Sequence, residues 1–379
     1  MVKNKIIISA INLFEGGPLS VLNDCVIELL ALRNINSYNV QILINNKELI
    51  SKISLPQNFS ISEFPLSRKS YLFRLFYEYI YFYFYSKKIG VYLWISLHDI
   101  TPNVIAEKKA VYCHNISAFL KPKLRYLQFQ PKIFFFSIFY KYLYAINIQK
   151  NNFVIVQQDW IKRKFCEMYN LNPSNVIVSN PSFKIDHSKL NFSNPSFIAQ
   201  SELTSFFYPT LPRVFKNIEI ICEACKILID QNEFNSIVYI SISKDENVYS
   251  RFIFDKYSNL SNIKFVGRLN REEVFQYYYD VDCLIFPSLL ESWGLPITEF
   301  KSFDKQIIVS DLPYAYETIN KYEKVSFFDP NDSFQLAKLM KEFIDNKQIK
   351  NNKNYIYSNS KVNSDSWGKL FNIIINNNE

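Results

Sequence analysis

Glycine is scarce, at 6 residues in 379 where average usage of about 7% would give roughly 27. In such a chain a glycine marks a place where the backbone needs one. Cysteine does not supply a framework either. The 6 present, at 25, 113, 166, 222, 225 and 283, are scattered, so disulfides are not expected and a reducing compartment fits. Cys222 and Cys225 form a lone C-x2-C inside NIEIICEACKILI, a helical pattern that puts both on one apolar face, where core packing is expected. With only 3 histidines, no His/Cys cluster and no D-x-D between a strand and a turn, neither a metal nor a cofactor is expected. No run reaches the roughly 20 uninterrupted apolar residues that a membrane-spanning helix needs. Met-Val-Lys-Asn-Lys leads straight into a short apolar run with no A-x-A site, so no signal peptide is expected.

What is present is core-forming material. Hydrophobic residues reach 48% against 21% charged, which excludes a disordered tail, and 379 residues suffice for two domains of about 100–200 each. Asn, Ile, Lys, Phe and Tyr replace small residues throughout, the mark of a base-biased genome; aromatics alone make up 17%. Charge is uneven. Residues 1–190 carry a net +12 and residues 191–379 a net −4, so the first half is expected to face something anionic.

Short β-branched runs alternate with longer mixed stretches, which predicts parallel sheets covered by helices. The strand candidates are Lys5–Ala10, Val40–Ile44, Val91–Ser96, Ala110–His114, Phe153–Gln157 and Val176–Ser179, then Phe206–Tyr208, Ile237–Ser241, Ile263–Val266, Cys283–Phe286, Gln306–Ser310 and Lys324–Phe327. Two such sets predict an α/β protein of two doubly wound, Rossmann-like domains, parted within the polar stretch Asn191–Gln200. Two aromatic stretches, Tyr71–Trp94 and Leu124–Ile148, are interrupted by charges and are expected to be helices against a sheet. Lys121, Lys123, Arg125 and Lys132 beside Phe134–Phe136 make the second the candidate for docking on an anionic membrane surface.

The most informative string is FPSLLESWGLPITEF, residues 286–300. It follows a strand and enters a helix with Pro296 placed for its first turn. Glu291 and Glu299 stand eight positions apart around Gly294. Amides of Gly294, Leu295 and Ile297 at a helix start suit phosphate, and carboxylates beside them suit sugar hydroxyls. The string resembles the E-x7-E signature of family 4 (group 1) retaining nucleotide-sugar glycosyltransferases of GT-B fold. FVGRLNREEVFQYYYDVDCLIFPS before it and QIIVSDLPYAYETI after it extend the resemblance, as does Asp365-Ser366-Trp367 before a final apolar run.

The resemblance implies two domains, 1–190 on the acceptor side and 200–357 binding the nucleotide sugar, with a cleft between them and residues 358–379 crossing back as a helix onto the first domain. It implies that Glu291 touches the transferred sugar and Glu299 the ribose, while Gly294, Leu295 and Ile297 hold the diphosphate. Gly16 and Gly17, between the first strand and helix, would let the backbone approach the donor. His114, ending a strand in AVYCHN, would reach the sugar, and His98 in SLHD would line the acceptor side. The phosphate clamp departs from the family: Lys216 fits the usual lysine, but Tyr208-Pro209 occupies the Gly-Arg region and Arg213 stands three residues late. The expected activity is retaining transfer of a sugar from a nucleotide sugar to a hydroxyl, on a lipid-diphosphate-linked O-antigen or capsule intermediate, with no obligatory metal. The enzyme would lie on the cytoplasmic face of a bacterial plasma membrane, with no nucleic-acid partner. The alternatives are another GT-B enzyme such as a nucleotide-sugar 2-epimerase, or a non-enzymatic membrane- or nucleic-acid-binding protein.

Overall fold

The computed structural model describes residues 4–14, 16–181, 203–233, 235–353 and 364–376, so the expected break at Asn191–Gln200 and His187 lie outside the described residues. The chain forms two compact units. One comprises Met1–Ala118, Phe139–Ser182 and Asn359–Glu379, the other Phe119–Ile138 and Phe183–Ser358.

The first unit holds seven parallel strands: β1 (Lys5–Ala10), β2 (Asn39–Ile44), β3 (Phe59–Glu63), β4 (Val91–Ser96), β5 (Ala106–Cys113), β6 (Phe153–Val156) and β7 (Val176–Val178). Their order is β3-β2-β1-β4-β5-β6-β7. Because side chains alternate along a strand, β1 feeds two cores. Ile6, Ile8 and Ala10 meet Leu22, Val26 and Leu29 of the helix Gly16–Leu30, while Ile7 and Ile11 meet Phe64, Phe82 and Trp94 on the other face. The helix Trp367–Asn376 joins the first of these cores through Trp367, Leu370, Phe371 and Ile374. Trp367 stacks on Tyr112, and Lys108 Nζ donates to the carbonyls of Ile374 and Ile375, closing the helix's C-terminal end.

The second unit repeats the plan with β8 (Thr204–Tyr208), β9 (Ser236–Ile240), β10 (Ile263–Phe265), β11 (Cys283–Phe286), β12 (Gln306–Ser310) and β13 (Val325–Phe328), ordered β10-β9-β8-β11-β12-β13. Cys222 and Cys225 are buried in the helix Ile218–Asp230 that covers this sheet. The segment Phe119–Ile138 clusters with this unit, although the sequence places it within the first domain. Phe129 packs on Tyr249 and Phe252 at ring-centroid distances of 5.7 and 4.9 Å, and Gln130 Nε2 donates to the Pro212 carbonyl at 2.7 Å. In both sheets the strand order reverses beside the first strand, between β1 and β4 and between β8 and β11. Open α/β sheets bind ligands at the carboxyl ends of such strands.

Candidate active site

At the second unit's reversal, β11 runs into the glutamate loop. One backbone hydrogen bond and several side-chain donors to backbone carbonyls hold that loop and its neighbourhood in place. Leu289 N–H donates to Phe215 O at 2.8 Å, Tyr314 OH to Ser288 O at 2.8 Å, and Asn217 Nδ2 to Pro330 O at 2.9 Å and Pro287 O at 3.3 Å. Asn217 itself takes a left-handed conformation, φ 55°, that turns the chain from Lys216 into the helix Ile218–Asp230. Buried Tyr208 donates its hydroxyl to the Lys216 carbonyl at 2.8 Å, so the residue standing in the Gly-Arg region anchors the lysine segment. The outcome is an ion pair: Lys216 Nζ lies 2.5 Å from Glu291 Oε1, with side-chain exposures of only 19% and 13%. The ammonium also sits 5.7 and 5.8 Å from the rings of Phe215 and Phe286.

Gly294 caps the helix Leu295–Lys301 with φ 85° and ψ 57°, a left-handed backbone that explains a retained glycine. Ile297 N–H donates back to the Gly294 carbonyl at 3.0 Å and the Ile297 side chain is buried. Its amide, expected to face phosphate, is therefore engaged in the helix's own first turn; a tight left-handed entry brings that carbonyl within reach. Glu299, in the same helix, accepts from Tyr278 OH at 3.0 Å. Burial lifts its carboxyl above the usual carboxylate range, while Tyr278 and Arg271 hold it down. Arg213 is exposed, and its carbonyl accepts from Lys216 N–H at 2.8 Å, so the two cationic residues bracket one turn.

In the first unit, Gly16 and Gly17 fall in the first turn of the helix Gly16–Leu30 rather than in the loop before it. His98 follows β4 and is 1% exposed, so in this conformation it meets the interior and not an acceptor. Arg74 Nη2 lies 3.3 Å from His98 Nδ1 and donates to the His98 carbonyl at 2.9 Å. Arginine can only donate, so Nδ1 accepts and Nε2 carries the proton. Nε2 is 3.1 Å from both Ser9 Oγ and Glu78 Oε1. Burial, then Arg74, holds His98 well below the ordinary imidazole value; burial pushes Glu78 up to about 8 against the pull of Arg74.

His114 follows β5 and remains partly exposed, at 18% of its side chain, with Nδ1 3.4 Å from Asp99 Oδ1. Asp99 was not singled out in the sequence, although it directly follows His98 at a strand end. The structure thus brings Lys216 and Glu291 into contact, sets Gly294, Leu295 and Glu299 on one short helix, and gives His114 and His98 different surroundings.

Residues 188–362, under half of the chain, match the family described as glycosyl transferases group 1. The protein is a glycosyltransferase. Its fold is GT-B, shared with the glycosyltransferase of Rickettsia africae at 16% identity, TM-score 0.61, covering 91% of this chain and 89% of that one. WaaG, a glycosyltransferase involved in lipopolysaccharide biosynthesis, aligns at 12% identity and TM-score 0.62, covering 90% and 91% of the two chains. Anabaena HepE, in complex with UDP and glucose, aligns at 13% identity and TM-score 0.58, covering 90% of each chain. No curated protein matches this glycosyltransferase in sequence.

Proposed function

We propose that this glycosyltransferase moves a sugar from a nucleotide-sugar donor to an acceptor hydroxyl with retention, on a lipid-linked O-antigen or capsule glycan intermediate. The observation that carries the reading is the Lys216–Glu291 pair at the strand-order reversal beside Gly294 and Glu299. As the glycosidic bond breaks, the leaving diphosphate gains negative charge, and fixed cations at that point stabilise it. Lys216 supplies one, and exposed Arg213 a second from its long stem. Glu291 keeps one oxygen for a sugar hydroxyl while Lys216 holds the other. Glu299 accepts from the ribose, and the Leu295 amide faces the diphosphate. His114 contacts the transferred sugar. The acceptor oxygen adds to an oxocarbenium-like carbon as the bond to the diphosphate breaks, and its proton passes to the departing diphosphate oxygen, with no metal invoked. The UDP and glucose bound by HepE support a nucleotide-sugar donor.

The membrane part of the proposal is supported by an exposed apolar face. No helix among the described residues is long and apolar enough to cross a membrane. In the expected docking segment Lys121, Lys123 and Lys132 are exposed beside Leu124, Phe135 and Phe139, which are 80, 49 and 55% exposed, while Arg125 is ion-paired with Glu219. Along Tyr71–Ile89, Leu72, Phe76, Ile80 and Phe84 are likewise 77, 46, 52 and 65% exposed, flanked by exposed Lys69, Lys87 and Lys88. Apolar side chains with lysines at the rim suit an anionic lipid interface on the inner face of the plasma membrane.

A panel of nucleotide sugars tests the reading. A donor present at about 100 times its dissociation constant adds about 2.7 kcal/mol of stability. Glu291→Gln should then lower turnover and Glu299→Gln should weaken nucleotide binding. Absence of protection by every nucleoside diphosphate, or wild-type behaviour in both variants, overturns it.

A further inference from the structure

We propose that Asp99 is a positioning residue for His114, fixing its ring so that Nε2 faces outward as a hydrogen-bond acceptor; this rests on the reading of His114 as a contact to the transferred sugar. Asp99 gathers donors from two places, the turn after β5 and the helix that carries Tyr140 and Tyr144. Its Oδ1 accepts the backbone N–H groups of His114 and Asn115, each at 2.8 Å, and Tyr144 OH at 2.9 Å. Its Oδ2 accepts Tyr140 OH at 3.0 Å. Both tyrosines are buried, and Asp99 is itself 6% exposed. Its backbone sits at φ 75°, in the left-handed region that a non-glycine residue occupies at an energetic cost. Three hydrogen bonds to the carboxylate hold it there, with a fourth from Tyr144 OH shared with the Asn115 carbonyl at 2.8 Å.

The consequence falls on the imidazole. His114 Nδ1 is buried and its close polar neighbour is Asp99 Oδ1 at 3.4 Å, a near contact rather than an aligned hydrogen bond. A lone pair on Nδ1 would face a carboxylate oxygen and be repelled; a proton there is attracted. The carboxylate therefore selects the Nδ1–H tautomer and leaves the Nε2 lone pair for a hydroxyl donor. Tyr140 and Tyr144 in turn keep the carboxylate from rotating away.

Asp99→Asn tests this with little change in shape, because asparagine tolerates the left-handed backbone. Its amide oxygen can take the Oδ1 position, and its NH2 can donate to the Tyr140 oxygen. The expected result is a fall in kcat of about 10- to 100-fold, the scale of a misplaced catalytic contact, with KM changed less than about threefold. Nitrogen-15 spectra of labelled histidine give an independent readout in a chain with 3 histidines, His114→Gln identifying the signal. Wild type should show Nδ1 protonated and Nε2 unprotonated; Asp99→Asn should show a tautomer mixture. If that variant unfolds, Tyr140→Phe and Tyr144→Phe carry the same test in milder form. Retention of wild-type kcat and a single Nδ1–H tautomer in Asp99→Asn would overturn the inference. Unchanged turnover in His114→Gln instead overturns the role of His114, which distinguishes the two failures.

Discussion

The Lys216–Glu291 pair allows a quantitative test of how the proposed donor site is built. The contact is 2.5 Å long with both side chains largely out of water, so it lies between an exposed pair, worth about 0–1 kcal/mol, and a hydrogen bond to a fully sheltered charge, worth about 1.5–3 kcal/mol. We expect a coupling of about 1–2 kcal/mol, discounted for the residual exposure. The perturbations are Lys216→Met, which keeps the stem against Phe215 and Phe286, and Glu291→Gln, which keeps the carboxylate's shape. Each alone leaves one charge facing a neutral partner; the double variant leaves none. Each single change should therefore destabilise, and the double should lose little more than either. Urea unfolding at matched m-values measures the stability cycle, and titration with a nucleoside diphosphate measures its counterpart in binding. In binding, Lys216→Met should weaken diphosphate affinity far more than that of the bare nucleoside. Single effects that add to within about 0.5 kcal/mol would refute the energetic coupling. Diphosphate affinity unchanged by Lys216→Met would refute the assignment of the cation.

Gly294→Ala should cost about 1–2 kcal/mol for its left-handed backbone alone, and its new Cβ would lie 3.2 Å from Ile297 Cδ1; Gly294→Asn should cost less, and equal urea midpoints for the two would refute the backbone argument. Glu78, with its folded pKa raised from 4.5 to about 8, keeps a proton that the unfolded chain has lost, so stability should fall as pH rises through that interval. His98, held neutral below its ordinary 6.5, gives the opposite slope on the acid side, which leaves the window from about 6.5 to 8 to Glu78. Glu78→Gln should flatten stability there, and an unaltered pH profile would refute its burial as the cause. Phe76→Ser and Phe84→Ser should reduce sedimentation with anionic vesicles at low salt without altering donor hydrolysis; unchanged sedimentation, or equal binding to neutral vesicles, would refute the lipid face.

The sheets were legible because their strands are buried on both faces and read as continuous β-branched runs. β1, β4, β11 and β12 match their expected limits at both ends. β3 was missed for the opposite reason. It is the edge strand, and of FSISE only Phe59 is buried, so no apolar run announces it. The glutamate loop was legible as a string because its candidate residues are local: glycine, proline and two carboxylates lie within a few positions of each other. The Lys216–Glu291 contact spans 75 positions and needed the fold. So did Asp99, whose hydroxyl donors come from 41 and 45 positions away and leave no spacing to read.

The helix around Glu78 shows what periodicity alone does not settle. Its interior side carries Arg74, Glu78, Phe82 and Ser86, every fourth residue, and its solvent side carries Leu72, Phe76, Ile80 and Phe84 at the same interval. Read as a pattern, the apolar set should face the sheet and the charges should face water. The structure has the reverse, with a π-helical turn at Tyr77–Tyr81 bringing Glu78 inward. Three partners make the inversion tolerable inside. Glu78 and Arg74 meet the imidazole of His98, Asn103 N–H donates to the Glu78 carbonyl at 2.8 Å, and Ile105 N–H donates to Ser86 Oγ at 2.9 Å. Outside, nothing in the chain's described residues covers the apolar side chains to that extent. Buried ionisable groups are normally replaceable by apolar packing without loss of stability, so a helix that puts Arg74 and Glu78 in and Leu72, Phe76, Ile80 and Phe84 out is not arranged for stability in water. The arrangement agrees with the proposal that the outer face enters a second, apolar environment at a lipid interface.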